Sequence, residues 1–287
     1  MACIRDNNML KNNSIFILLF LLLPSTIEPY LIIWDLGDTL IYVSIFGMVT
    51  EIGLPDCAIY HLFHTKKKDQ LQNLIFDVLE EYGGKQTGPD LEKSYHTAHR
   101  ALPQVMCDWL AGKILEPAQL VKKIHRKIEK LNKKGYFKNT LEYRIIKNAV
   151  ASMFNPEVLI RNTKILPQAL EMVQEIAYQG KHQQTIISNW DGVSYTNFKQ
   201  SLTGKELSRY FDMNSIIISG SLKIIKPDQS IFDECLDRYG ITADQCIFID
   251  DQEENVNAAR RYGFIGLHIK NHDFKQLRKE LVALGVL

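Results

Sequence analysis

The sequence predicts an α/β fold: a three-layer, doubly wound parallel sheet with an α-helical domain inserted near its start. Three observations carry that expectation. Short apolar runs alternate with amphipathic helical stretches through the second half of the chain, the pattern of strand–helix–strand units on a parallel sheet. The runs are almost continuously apolar, as strands covered on both faces require. One long interval, residues 45–163, shows only helical patterning, so it reads as an insertion behind the first strand.

In chain order, the first expected strand is Leu31–Trp34 (LIIW). After the insertion come a helix over Gln168–Gln179, a strand at Thr185–Ile187 and a strand at Ile216–Ile218. A helix over Asp228–Tyr239, a strand at Cys246–Ile249, a helix over Glu253–Tyr262 and a strand at Ile265–Ile269 follow. Gly180, Gly240 and Gly263 stand just past the three helices, where a left-handed residue closes the last turn. Within the insertion, Asp69–Tyr82, Leu91–Leu110, Pro117–Leu131 and Thr140–Met153 read as helices, broken at Gly83-Gly84, Gly112 and Gly135. The expected division is therefore an N-terminal extension over 1–29, a core formed by 30–44 and 164–287, and a helical domain over 45–163.

Composition narrows the function classes. The 287 residues carry 46% apolar and 23% charged side chains, enough to bury a sizeable core. A formal net charge of +1 gives no global attraction to nucleic acid, and no nucleic-acid partner is expected. The five cysteines, Cys3, Cys57, Cys107, Cys235 and Cys246, form no CxxC pair, which argues against a disulfide framework or a structural zinc site. The nine-residue apolar run Ile15–Leu23 is too short for a bilayer span, which takes about 20 residues. It resembles the apolar centre of a signal peptide but lacks a good cleavage site after it, and fits export and cytoplasmic retention equally.

The helix at Pro117 carries Leu120, Ile124, Ile128 and Leu131 on one stripe and a basic face opposite. Residues 113–138 hold nine Lys/Arg against two Glu, a local charge of +7. With no aromatic side chains interleaved for base stacking, this is read as a solvated outer face. His61-x-x-His64 and His96-x-x-His99 have metal-pair spacing but no partner at ligand spacing, and are read as structural or surface histidines. Trp34 is expected in the core; Trp190 is expected to line an entrance or to pack.

The chemistry gathers where ligands sit in such sheets, outside the carboxyl ends of the strands. The first strand ends in Asp35-Leu36-Gly37-Asp38-Thr39, and the second in Ser188-Asn189. Lys226-Pro227-Asp228 follows the third, and the fourth ends in Asp250-Asp251. Clustered carboxylates repel one another, and a hard divalent cation such as Mg²⁺ relieves that repulsion. Ser188 and Lys226 would then hold a phosphoryl group against the metal, beside a carboxylate able to attack it.

On these residues the sequence resembles the haloacid dehalogenase superfamily of hydrolases. WDLGDTL (Trp34–Leu40), TIISN (Thr185–Asn189), KPDQSIF (Lys226–Phe232) and FIDDQEENVNAA (Phe248–Ala259) match its four motifs in order. The resemblance covers about 30–42 and 164–287, and implies a Rossmann-like core. The 153 residues between Asp35 and Ser188 leave room for the helical cap often inserted there; the 37 between Asn189 and Lys226 do not.

The resemblance implies that Asp35 is nucleophile and metal ligand, and that Ser188, Asn189 and Lys226 bind and orient the transferred group. It implies further that Thr39 orders the loop and helps bind phosphate, that Asp251 ligates Mg²⁺ with Asp250 ligating or supporting it, and that Asn255 stands behind them.

One departure matters. Phosphatases of this superfamily carry a second Asp two residues after the nucleophile as acid and base, and here that position is Gly37. Its carbonyl can still ligate the metal, but a proton donor worth about 10²–10⁴ in rate is missing. Asp38 is displaced along the chain by about 3.5 Å. The expectation is a Mg²⁺-dependent phosphohydrolase acting on a small phosphorylated metabolite. A dehalogenase-type hydrolase and a fold-retaining binding or regulatory protein remain the alternatives.

Overall fold

The computed structural model describes residues 29–63, 68–96 and 100–287. The apolar run Ile15–Leu23, Cys3, His64 and His99 lie outside the described residues.

Five strands form one parallel sheet in the order β7-β6-β1-β8-β9. They are β1 (Leu31–Trp34), β6 (Gln183–Ser188), β7 (Ile217–Ile218), β8 (Cys246–Asp250) and β9 (Ile265–His268). All five expected strands are present. The side-chain period of two sorts each strand onto two cores. Ile32, Trp34, Ile186, Ile218, Ile247 and Ile249 face one side, with helices Pro167–Gln179, Gly192–Gln200 and Phe274–Ala283 against them. Leu31, Ile33, Ile187, Ile217, Cys246 and Phe248 face the other, under helices Gln229–Tyr239 and Glu253–Arg261. This double covering explains why the strands read as unbroken apolar runs. Gly180 and Gly240 close their helices at φ 64°, as expected.

The chain leaves the sheet after β1 through β2 (Ile41–Val43) and returns through β5 (Thr163–Ile165), and the two pair antiparallel. Neither strand stood out in the sequence, because three residues give too little periodicity to see. Between them lies a mainly helical region with its own core, in which Leu120, Ile124, Ile128 and Leu131 of helix Pro117–Lys133 are buried as the stripe predicts.

One sequence expectation fails in this region. Leu91–Leu110 is not one helix. It holds a short ribbon, β3 (Tyr95–His96) with β4 (Arg100–Ala101), and a helix only from Gln104 to Leu110. Pro103 is the reason: it lacks an N–H and keeps Leu102 out of helical conformation, so the helix can begin only after it. Ile45–Phe63 is also helical, inside the interval expected to be helical although no separate helix was delimited there. Gly53, at φ 122°, kinks it in two, and Pro55 falls at the start of the second half.

The helical region meets the core at a glycine contact. A Cβ on Gly112 would lie 2.4 Å from the Gly220 carbonyl oxygen, so only glycine permits the approach. Ser219 Oγ donates to Leu110 O at 2.8 Å, and Lys223 Nζ to Gly112 O at 2.6 Å, fixing the same junction. No described helix is long and apolar enough to cross a membrane. Cys57, Cys107, Cys235 and Cys246 are free thiols.

Candidate active site

The sheet order places β1 between β6 and β8, so the residues at these three carboxyl ends become neighbours despite separations of up to 216 positions. Asp35 leaves β1 with its backbone N–H still in the ladder, donating to Ile249 O at 2.8 Å. Its side chain is buried, with 9% of its surface exposed. Lys226, after β7, reaches under it and is buried to 1% exposure. The ammonium has three protons and uses all of them, on Asp35 Oδ1 (2.5 Å), Asp250 Oδ2 (2.7 Å) and Ile187 O (3.1 Å). A buried cation this fully bonded orients the carboxylates it touches.

Asn189 serves the lysine, not the cavity alone. Its Oδ1 accepts from Lys226 N at 2.7 Å and its Nδ2 donates to Lys226 O at 3.1 Å, so one side chain clamps the lysine backbone; the Lys226–Pro227 bond beside it is cis. Behind Asp250, Asn255 Nδ2 donates to both carboxylate oxygens at 3.2 and 3.0 Å, and Gln252 N donates to Oδ1 at 2.8 Å. Asp250 is thus surrounded by donors, whereas Asp251 faces the cavity together with Ser188, Asn189 and Gly37. Thr39 is fully buried, and its hydroxyl has no partner among the described residues.

The electrostatics follow from three carboxylates sharing one ammonium. Burial pushes the Asp35 carboxyl up to about 7, Lys226 pulling it back and Asp250 adding to the rise. Burial drives Asp251 to about 9, reinforced by Asp250, Asp35 and Asp38. Burial works against the Lys226 charge, but Asp250 and Asp35 outweigh it and hold the ammonium above its usual range. One oxygen from each of Asp35, Asp250 and Asp251 lies within 4.8 Å of the others. An all-oxygen set with excess negative charge fits a hard divalent cation, and among the described residues the set includes no sulfur or imidazole that would favour zinc.

Gly37 sits against the nucleophile candidate. A Cβ there would lie 3.8 Å from Asp35 Oδ2, in ordinary contact and with no obstruction. Asp38 adopts φ 51° and lines the same cavity, its Oδ1 3.8 Å from His272 Nε2. Sequence reasoning missed His272, which follows β9 in a left-handed turn. It also missed Ser219, whose Oγ accepts from Trp190 N at 2.9 Å. Neither lies in a motif; a lone serine or histidine in a connecting segment gives no pattern to read. Trp34 is fully buried, with Nε1 donating to Gln184 Oε1 at 3.0 Å, while Trp190 both lines the cavity and lies 5.0 Å from the Phe198 ring.

A parallel sheet with carboxylates at the ends of adjacent central strands and a buried lysine between them defines a class of hydrolase built around an aspartate. Residues 99–266, more than half of the chain, match the haloacid dehalogenase-like hydrolase family, and the chain belongs to it. The matched stretch contains Ser188, Lys226, Asp250 and Asp251 but begins well after Asp35.

Among solved structures, a HAD family enzyme from Bacteroides thetaiotaomicron is similar in fold. It has a TM-score of 0.52 and 16% identity over 88% of this chain and 98% of that one. The wild-type form of that enzyme in complex with magnesium and inorganic phosphate gives 0.49 and 17% over 87% and 99%. A HAD-like hydrolase from Porphyromonas gingivalis gives 0.47 and 18% over 89% and 98%. No curated protein sequence matches the chain.

Proposed function

We propose that the chain is a Mg²⁺-dependent phosphohydrolase that acts on a small phosphorylated metabolite through an aspartyl-phosphate on Asp35. The observation that carries this reading is the Asp35–Lys226–Asp250 chain of short contacts, with Asp251 beside it at the cavity floor. Lys226 holds Asp35 Oδ1, which leaves Oδ2, next to Gly37, as the oxygen for in-line attack on phosphorus. The new carboxyl O–P bond forms as the ester O–P bond breaks, and the alkoxide leaves with a proton from solvent. Water then attacks the aspartyl-phosphate, releasing inorganic phosphate and regenerating the carboxylate.

Ser188, buried at the end of β6 and lining the cavity, would donate to a phosphoryl oxygen. Asp35, Asp251 and the Gly37 carbonyl would hold Mg²⁺, with Asp250, already bonded to Lys226 and Asn255, supporting from behind. When bound, the cation would neutralise charge on the phosphoryl oxygens and on the crowded carboxylates. Residues 45–163 would act as the cap that selects the substrate.

Phosphate release from p-nitrophenyl phosphate and acetyl phosphate, with Mg²⁺, with EDTA and with Asp35→Asn, tests the reading. Turnover is expected only with Mg²⁺ and intact Asp35, falling by about 10³-fold or more in the variant. Turnover unaffected by Asp35→Asn, or none on either substrate from folded protein that binds Mg²⁺, overturns it.

A further inference from the structure

Resting on that reading, we infer that the site takes a phosphate monoester whose organic part is apolar and carries no second anionic group, an aryl phosphate being the simplest case. The cavity over Asp251 and Ser188 has a volume of about 820 Å³, well beyond what a phosphoryl group needs. Beyond the polar groups described above, its lining is mainly apolar: Ile41 and Val43 from β2, Trp109 and Leu110 from the helical region, Leu159 from its last helix and Ile269 after β9, with Tyr42, Thr163 and Asn271 the uncharged polar side chains among them. Ile45, which also lines the cavity, is 64% exposed and adds a further aliphatic surface that a ligand can cover.

No lysine or arginine lines this cavity among the described residues. The charged groups that do line it are Asp38, Asp251 and His272, and any charge on His272 is offset by Asp38 at 3.8 Å. Lys226 lies beneath the floor with all three protons bonded. A substrate carboxylate or second phosphate would therefore be desolvated against a mainly apolar lining with no cation to receive it, which is strongly unfavourable. A flat hydrocarbon body would instead displace water from both tryptophans.

Position 37 points the same way independently. With glycine there, position 37 supplies no side chain to protonate the departing oxygen, so leaving groups stable as anions, phenols above alkanols, are favoured.

The experiment separates binding from turnover. Two of the three tryptophans, Trp109 and Trp190, line the cavity, so quenching of Trp fluorescence in Asp35→Asn with Mg²⁺ reports ligand entry without hydrolysis. The probes are 1-naphthyl phosphate, phenyl phosphate, 2-phosphoglycolate and glycerol 3-phosphate. Expected is tightest binding of naphthyl phosphate, then phenyl phosphate, then glycerol 3-phosphate, with phosphoglycolate weakest and at least about tenfold weaker than naphthyl phosphate. Ile45→Arg should narrow that ratio several-fold. Equal or tighter binding of phosphoglycolate, or no binding of any aryl phosphate, overturns the inference. The wild-type enzyme is assayed on the same four compounds. Selective binding of naphthyl phosphate without hydrolysis would end the phosphohydrolase reading and leave the binding specificity standing. Hydrolysis that prefers phosphoglycolate, with its added carboxylate, would do the reverse.

Discussion

Lysine is used in two opposite ways in this molecule. Lys226 is 1% exposed and bonded to two carboxylates and a carbonyl at the centre of the sheet edge. On helix Pro117–Lys133, Lys122, Lys123 and Lys130 stand in solvent, opposite a buried apolar stripe. Where that region makes ion pairs they are peripheral, such as Lys127 with Glu81 at 3.1 Å and Lys147 with Glu129 at 3.0 Å. The local charge of +7 on residues 113–138 is thus less consequential than the single charge of Lys226. Water screens the first; burial commits the second to its partners.

Lys226→Met breaks the comparison most sharply. It leaves Asp35, Asp250 and Asp251 crowded without their cation, and removing one partner of a buried ion pair costs about 3–5 kcal/mol. Activity should be lost as well. The cost should depend on pH. Asp35 and Asp251 have folded-state pKa values raised above the usual 3.8, to about 7 and about 9. The folded state therefore holds more protons than the unfolded chain between those limits. The stability contributed by these carboxyls is fully present below 3.8 and is lost as pH rises through about 7 and then about 9.

Urea unfolding in EDTA should accordingly show wild-type stability falling from pH 5 to pH 9, with added Mg²⁺ flattening the fall. The Lys226→Met defect should be larger at pH 8 than at pH 5. A variant as stable as wild type at pH 8 would show that the lysine is not holding the cluster together.

The two regions also differ in how far they could be read from the sequence. Asp35, Ser188 and Asp250 stand at the ends of apolar strand runs, and the strands were legible because burial on both faces leaves no polar positions in Leu31–Trp34 or Cys246–Ile249. The four motifs then placed Asp35, Ser188, Lys226, Asp250 and Asp251 at one edge without any knowledge of their distances. What was hidden is whatever depends on packing between distant segments. Asn189 clamping the Lys226 backbone joins positions 37 apart, and the Gly112–Gly220 approach joins positions 108 apart. The cavity's apolar lining is drawn from β2, from Trp109 and from Leu159, and no one of these segments carries a pattern that announces a ligand.

Gly37→Asp sharpens the comparison by adding charge to the crowded edge in place of removing it. Room exists, since a Cβ at position 37 meets only Asp35 Oδ2, at 3.8 Å, and the backbone is not left-handed there. If the missing carboxyl limits turnover, the variant should raise kcat on glycerol 3-phosphate by about 10²-fold, with less effect on p-nitrophenyl phosphate, whose leaving group needs little protonation. The added charge should also steepen the fall in metal-free stability with pH. Equal rates on both substrates before and after substitution would mean that another group already supplies the proton.

The smallest effect is expected where the charge is densest. Lys122→Ala, Lys123→Ala and Lys130→Ala combined remove three exposed charges from helix Pro117–Lys133 and touch none of the buried Leu120, Ile124, Ile128 and Leu131. Alanine is at least as good a helix former as lysine, so the helix itself should not weaken. The melting temperature and kcat/KM should be unchanged within error, and so should the dependence of kcat/KM on salt. Salt dependence is the informative reading, because a basic face that steered anionic substrates would lose part of its rate advantage as ionic strength rose, and would lose it in the variant already at low salt. A several-fold fall in kcat/KM at low salt, vanishing at high salt, would therefore move this face from a solvated surface to a collector for the site, and would make the exposed lysines as relevant to turnover as the buried one.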